Sequence, residues 1–190
     1  MRHRHFIKFA AVACLALLVL PCDTLNAKRR NASSAHRHNH PTAASRATVV
    51  EHLVRSRHPE KGPKYAKTVA KLVSDNARAV NLPIEVVAAT AAVESGFSMK
   101  SGPCIGMMQV NPATFHERYR GAGLDPHRLR DNIRIGAYEL ARHYQATASR
   151  SLSNRRRLTI MWGRYNGSGA HSAYVRKALK TYDILRRRAG

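Results

Sequence analysis

From about Thr48 onward, apolar residues recur at spacings of three and four, and no alternating run is long enough to demand a sheet. Tyr65, Val69, Leu72, Val73, Asn76 and Val80 line one face of an amphipathic helix. That helix must stop before Pro83, because proline lacks the amide proton that another turn would need. Pro83 suits the first position of a second helix, where that amide would be unpaired anyway, and Glu85 then faces the positive end of the helix dipole. The small residues between Ala88 and Ala92 let a neighbour approach closely, and the helix runs through Glu94 to a stop at Gly96. Asn111-Pro112 is a further start signal, and so is Asp131, which precedes the stripe Ile133, Gly136, Ala137, Leu140, Ala141 and Tyr144. Leu158, Met161, Trp162 and Tyr165 form another stripe, with Trp162 in the core, and Val175, Ala178, Leu179 and Tyr182 form the last. These elements predict a mainly α domain, a bundle of about six or seven helices.

The chain ahead of this domain follows different rules. Arg2, Arg4 and Lys8 precede an apolar run from Phe9 to Leu20, and Leu25-Asn26-Ala27 offers a small-residue exit. Twelve apolar residues fall short of the roughly 20 that a membrane span needs, so residues 1–27 read as a cleaved secretory signal. An uncleaved anchor, or a lipoprotein signal ending at Cys22, would equally place the protein outside the cytoplasm. Residues 28–47 contain no acid and almost no large apolar side chain. Nothing there offsets the entropy of folding, so the stretch reads as a disordered basic linker leading to a domain at 48–190. His36, His38 and His40 alternate within it, and a solvated tract explains them better than a metal site does.

Charge narrows the partners. The 190 residues hold 33 Lys and Arg against 11 Asp and Glu, a net charge of +22. Cleavage of the signal removes three basic groups and Asp23, leaving 30 basic against 10 acidic groups, or +20. Such a chain favours a polyanionic partner: outside the cytoplasm, carboxylate-bearing wall polymers or anionic lipid head groups. Nucleic acid is the remotest partner, because no recognised nucleic-acid motif accompanies Arg155-Arg156-Arg157 or Arg186-Arg187-Arg188. Cys14 and Cys22 lie in the signal, so the mature chain keeps only Cys104 and can form no internal disulfide. His116, His127, His143 and His171 share no metal-ligand spacing, and neither a metal nor a cofactor is implied.

The chemistry gathers in Val93-Glu94-Ser95-Gly96-Phe97, in Ile105-Gly106-Met107-Met108-Gln109-Val110-Asn111-Pro112, and in Tyr165-Asn166-Gly167. Glu94 ends a stretch of Val and Ala that reads as buried, where a carboxylate is costly unless it is protonated, paired or set in a cleft. Burial raises a carboxyl pKa, which suits a general acid for glycosidic cleavage, whereas a solvent-facing Glu at a helix end would carry no such role.

The segment from Ala92 to Phe115 resembles the signature of family 1 lytic transglycosylases, the soluble transglycosylase domain of the lysozyme-like superfamily. Glu94-Ser95, Gly106-Met107-Met108-Gln109 and Pro112-Ala113-Thr114 carry that resemblance. Asp131-Asn132-Ile133-Arg134-Ile135-Gly136-Ala137-Tyr138 resembles the helix that follows in the family, and Arg164-Tyr165-Asn166-Gly167-Ser168-Gly169 its Ala-Tyr-Asn-Ala-Gly motif. Three motifs in order are far more specific than any one alone. The departures are Met107 for Leu, Cys104 and Arg164 where Ala is common, Gly167-Ser168 for Ala-Gly, and a short connector between Glu94 and Gly106.

The resemblance implies a lysozyme-like helical fold and a periplasmic or otherwise exported enzyme of a Gram-negative bacterium, acting on peptidoglycan glycan strands without a cofactor. It makes Glu94 the single acid/base and puts Ser95 and Gln109 on the glycan groove. Met107 and Met108 become its apolar floor, Tyr165 a hydrogen-bond partner holding Glu94, and Asn166 a support for the turn. One acid suffices for a transglycosylase because the substrate's own 6-hydroxyl is the nucleophile. Hydrolases usually need a second carboxylate, and no other acid lies between Glu94 and His116. A hydrolase of the same fold and a non-catalytic wall-binding secretion-assembly factor stay as alternatives. The sequence leaves open general wall turnover or local opening for a secretion or conjugation machine.

Overall fold

The computed structural model describes residues 42–148 and 150–190. Seven α-helices are present among them: α1 (Ala43–Arg57), α2 (Gly62–Ala79), α3 (Ile84–Glu94), α4 (Pro112–Arg118), α5 (Leu129–Gln145), α6 (Asn154–Asn166) and α7 (Ala173–Ala189). Single 3-10 turns at Pro59–Lys61 and Arg120–Ala122 complete the regular structure. No strand forms among the described residues, and none of their helices is long and apolar enough to cross a membrane. The signal, the linker up to residue 41 and the alternating histidines lie outside the described residues.

The most apolar segment becomes the central helix. All nine residues from Ile84 to Ala92 are buried, and α3 touches α1, α2, α5 and α7. A helix apolar on every side is stable only when surrounded, and its run of alanines lets the surrounding helices come near. The two polar side chains among those nine residues are satisfied: Glu85 pairs with Arg46 of α1 at 3.1 Å, and the Thr90 hydroxyl accepts from the Trp162 indole at 2.9 Å. Trp162 is fully buried, as its stripe predicts, and ties α6 to α3.

Cap chemistry sets several helix ends, among them the expected start at Asn111-Pro112, whereas α5 begins at Leu129, two residues before the expected start at Asp131, with no side-chain cap. Asn111 Oδ1 accepts from the amides of Ala113 and Thr114 at the head of α4, and Ser153 and Ser172 do the same for α6 and α7. Glycine at φ 72° closes α6 at Gly167. One boundary needs correction. Residues 43–47, expected in the linker, form the first turn of α1, because the Thr42 hydroxyl accepts from the Ser45 amide and Val50 and Val54 further along fix the helix to the core. The lack of large apolar side chains in this turn hid a helix that is anchored by Val50 and Val54.

Candidate active site

Glu94 is the last residue of α3, and that helix end is held from several sides. The Phe97 amide donates back to the Ala91 carbonyl at 3.2 Å, Gly96 takes φ 68°, and the Arg57 guanidinium donates to the Ala92 carbonyl at 2.9 Å. The Tyr65 hydroxyl donates to the Phe97 carbonyl at 2.6 Å. Phe97, at φ 69° and fully buried, is a left-handed non-glycine residue that these bonds keep in place. Ser95 does not line a groove as expected. It is buried, donating to the Ala91 carbonyl and accepting from the Ser98 amide, so its role is to close the helix.

The second motif folds into a tight hairpin, with Ile105 and Val110 exchanging both backbone hydrogen bonds at 2.9 and 2.8 Å. Its place on α5 is set by a buried amide. Asn132 Oδ1 accepts from the Met108 amide at 2.8 Å, and its Nδ2 donates to the Ile105 and Pro126 carbonyls at 2.9 and 2.8 Å. Gly106, at φ 77°, lies so close to this amide that a Cβ would collide with it. Gly136 leaves room for Met108 in the same way, a Cβ there falling 2.5 Å from that of Met108. The two motifs are thus halves of one joint. Met107 and Met108 are correspondingly fully buried, which overturns their expected role as a floor: they anchor the hairpin from beneath.

Tyr174, which periodicity did not single out, holds Glu94. Its hydroxyl donates to Glu94 Oε1 at 2.7 Å, and Oε2 has no hydrogen-bond partner among the described residues. Tyr165 was expected in that place, and the structure corrects this. Its hydroxyl donates instead to the Met108 carbonyl at 2.8 Å, locking α6 to the hairpin. Burial pushes the Glu94 carboxyl above the usual range, and the Tyr174 hydrogen bond pulls it back only in part. Burial and the Glu94 charge push the Tyr174 hydroxyl up, so it stays a donor throughout the useful pH range. With Oε1 accepting from Tyr174, a proton on Glu94 belongs on Oε2, the free oxygen. Burial, and secondarily Glu94, also raises the half-buried Cys104 thiol, leaving it a poor nucleophile.

A cavity of about 270 Å³ gathers Gln109, Tyr165 and Asn166, three of the expected site residues. Gln109, at φ 49°, spends its Nε2 on the Gly106 carbonyl at 2.7 Å and keeps its side-chain oxygen. Asn166 ends α6 at the cavity wall. Tyr165 lines this space, and burial first, and then the Glu94 and Glu139 charges, raise its hydroxyl pKa.

Glu139, Arg142, His143 and Arg164 complete the lining, and the first three had drawn no functional expectation. Glu139 Oε2 accepts from Arg142 Nη2 at 2.7 Å and Oε1 from the Tyr119 hydroxyl at 2.7 Å. Burial pushes the Glu139 carboxyl up, but these hydrogen bonds outweigh it and hold the group below the usual range. An acid beside Leu140 within an apolar stripe is the same oddity that marks Glu94, so the signal was present. Tyr174 gave none, sitting one residue ahead of its helix's stripe.

The helical domain thus combines a half-buried carboxyl at the end of α3, held by Tyr174, with a hairpin docked on α5 and a polar cavity walled by α5, α6 and that hairpin. The family model for the transglycosylase SLT domain matches residues 71–183, and the chain belongs to that family, whose general function is lytic transglycosylase action on peptidoglycan. No curated protein and no solved structure matches the chain.

Proposed function

We propose that the protein is an exported, lysozyme-like lytic transglycosylase that cleaves the β-1,4 bond between N-acetylmuramic acid and N-acetylglucosamine, with Glu94 as its only acid/base. The observation that carries this reading is the state of Glu94: a half-buried carboxyl with a raised pKa, one oxygen held by Tyr174 and the other open. Protonated Glu94 gives its Oε2 proton to the glycosidic oxygen as the bond to the anomeric carbon breaks. The ionised carboxylate then takes the proton from the 6-hydroxyl of the same muramic acid, whose oxygen closes on the anomeric carbon. The products are a free 4-hydroxyl and a 1,6-anhydro end, and no water is consumed.

A two-carboxylate hydrolysis has a weaker basis here. Glu139 is the nearest rival, but Arg142 and Tyr119 occupy its oxygens, which blunts it as a nucleophile or base. Glu85 lies nine residues back along α3, about 14 Å at 1.5 Å per residue, and is tied to Arg46. Mass analysis of muropeptides released from purified sacculi tests the proposal: 1,6-anhydro products, one water lighter than hydrolytic ones, are expected. Products that accept borohydride would make it a hydrolase, and no release would favour a wall-binding factor.

Tyr174→Phe should lower turnover about tenfold, since it removes a hydrogen bond to a charged group at the reacting carboxyl. It also carries a pH signature. The lost bond favours the ionised form, so the Glu94 pKa rises further, and the alkaline limb of the pH–rate profile moves to higher pH. A profile unmoved by the substitution would separate Tyr174 from the acid.

A further inference from the structure

We propose that Arg164 forms an anion subsite that receives a carboxylate carried by the wall strand next to the bond being cut, an inference that rests on the glycan-cleaving reading above. Arg164 lies on α6 one residue before Tyr165 and lines the same cavity. It also stands where the sequence departs from the Ala of the family motif. Its guanidinium makes no hydrogen bond, ion pair or ring contact among the described residues, whereas Arg142 in the same wall is committed to Glu139.

The charges facing the cavity decide its preference. Glu139 and Arg142 cancel as a close pair, at 2.7 Å. Burial, and secondarily the Arg142 charge, holds the His143 imidazole below its usual pKa, so it is neutral at pH 7. Arg164, an exposed side chain, is left as the one uncompensated cation of the lining. A guanidinium presents a planar fork of donors suited to a carboxylate. At about 270 Å³ the cavity falls just below the usual 300–1,000 Å³ of small-molecule clefts, which fits a substituent of the strand rather than the strand itself. The ligand chemistry is therefore a carboxylate on a short tether. Two groups supply it: the lactyl carboxylate of muramic acid in peptide-free strands, and the stem-peptide carboxylates in substituted ones.

Three soluble tetrasaccharides separate these sources: chitotetraose with no carboxylate, a peptide-free wall tetramer with lactyl carboxylates only, and a peptide-bearing tetramer with stem carboxylates only. Calorimetric titration of the full mature protein is expected to give about tenfold weaker binding of a carboxylate-bearing tetramer by Arg164→Gln, equivalent to about 1.4 kcal/mol. Chitotetraose binding should not change, and Arg164→Lys should recover part of the loss. The tetramer that responds identifies the source. An equal loss on all three sugars, no loss on either charged one, or no binding of the charged tetramers by the unaltered protein would overturn the proposal. Since the readout is binding, hydrolytic products from sacculi would sink the transglycosylase reading without touching this one.

Discussion

Glu94→Gln is expected to abolish muropeptide release, with turnover falling by at least about 10²-fold, while the protein still binds sacculi. Glutamine keeps the size of the side chain and can accept from Tyr174, but it has no proton to give the glycosidic oxygen. The same variant should show a stability signature with a definite sign. The Glu94 pKa is raised in the folded protein, so below its unfolded value of about 4.3 the carboxyl is neutral in both states and behaves much like the amide. As pH rises through the folded pKa, wild-type Glu94 ionises in a site that disfavours the charge, and stability is lost. Glutamine does not titrate. The variant should therefore match wild type near pH 4 and melt higher at pH 8. Near-normal turnover with an intact helical spectrum would exclude Glu94 as the acid, and a variant that melts lower at pH 8 would contradict its desolvation.

The helices were legible from local signals: apolar periodicity in α2, α5, α6 and α7, a side-chain cap at Asn111 for α4, and Pro83 and Gly96 at the two ends of α3. The first turn of α1 was missed for a physical reason: Ala43, Ala44, Ser45, Arg46 and Ala47 carry no large apolar side chain, and what holds them is non-local, the Arg46–Glu85 ion pair and the burial of Val50 and Val54 further on. Motif order drew together residues distant in sequence, since Gln109, Tyr165 and Asn166 share one cavity. It could not assign bonds within it. Tyr165 and Tyr174 are nine positions apart, on successive helices, and which hydroxyl reaches Glu94 depends on how α6 and α7 lie against α3. The two methionines misled because an apolar pair beside a catalytic motif can face a ligand or the core. Their burial follows from Gly136, whose missing side chain admits Met108, a complementarity between positions 28 residues apart that no local pattern contains.

That joint supplies the second large effect, this time on folding. Asn132 is fully buried and makes three hydrogen bonds, to the Met108 amide and to the Ile105 and Pro126 carbonyls. Asn132→Ala strands all three partners away from water. An unmet buried group costs about 1–3 kcal/mol, so the expected loss is about 3 kcal/mol or more. For a domain of this size that corresponds to a fall in Tm of about 6–12 °C. Asn132→Asp is the sharper test, because it keeps the acceptor for Met108 but turns an oxygen toward two carbonyls. The new carboxyl is tolerable only when protonated, so its folded pKa should be raised and its penalty should grow as pH rises. Activity should fall along with stability, because the hairpin that Asn132 fixes also supplies the carbonyl that holds Tyr165 at the cavity. A melting temperature within about 2 °C of wild type for Asn132→Ala, or a pH-independent penalty for Asn132→Asp, would mean that the hairpin is held by the burial of Met107 and Met108 alone. The pairing of the two sequence motifs would then be a matter of shape and not of hydrogen bonding.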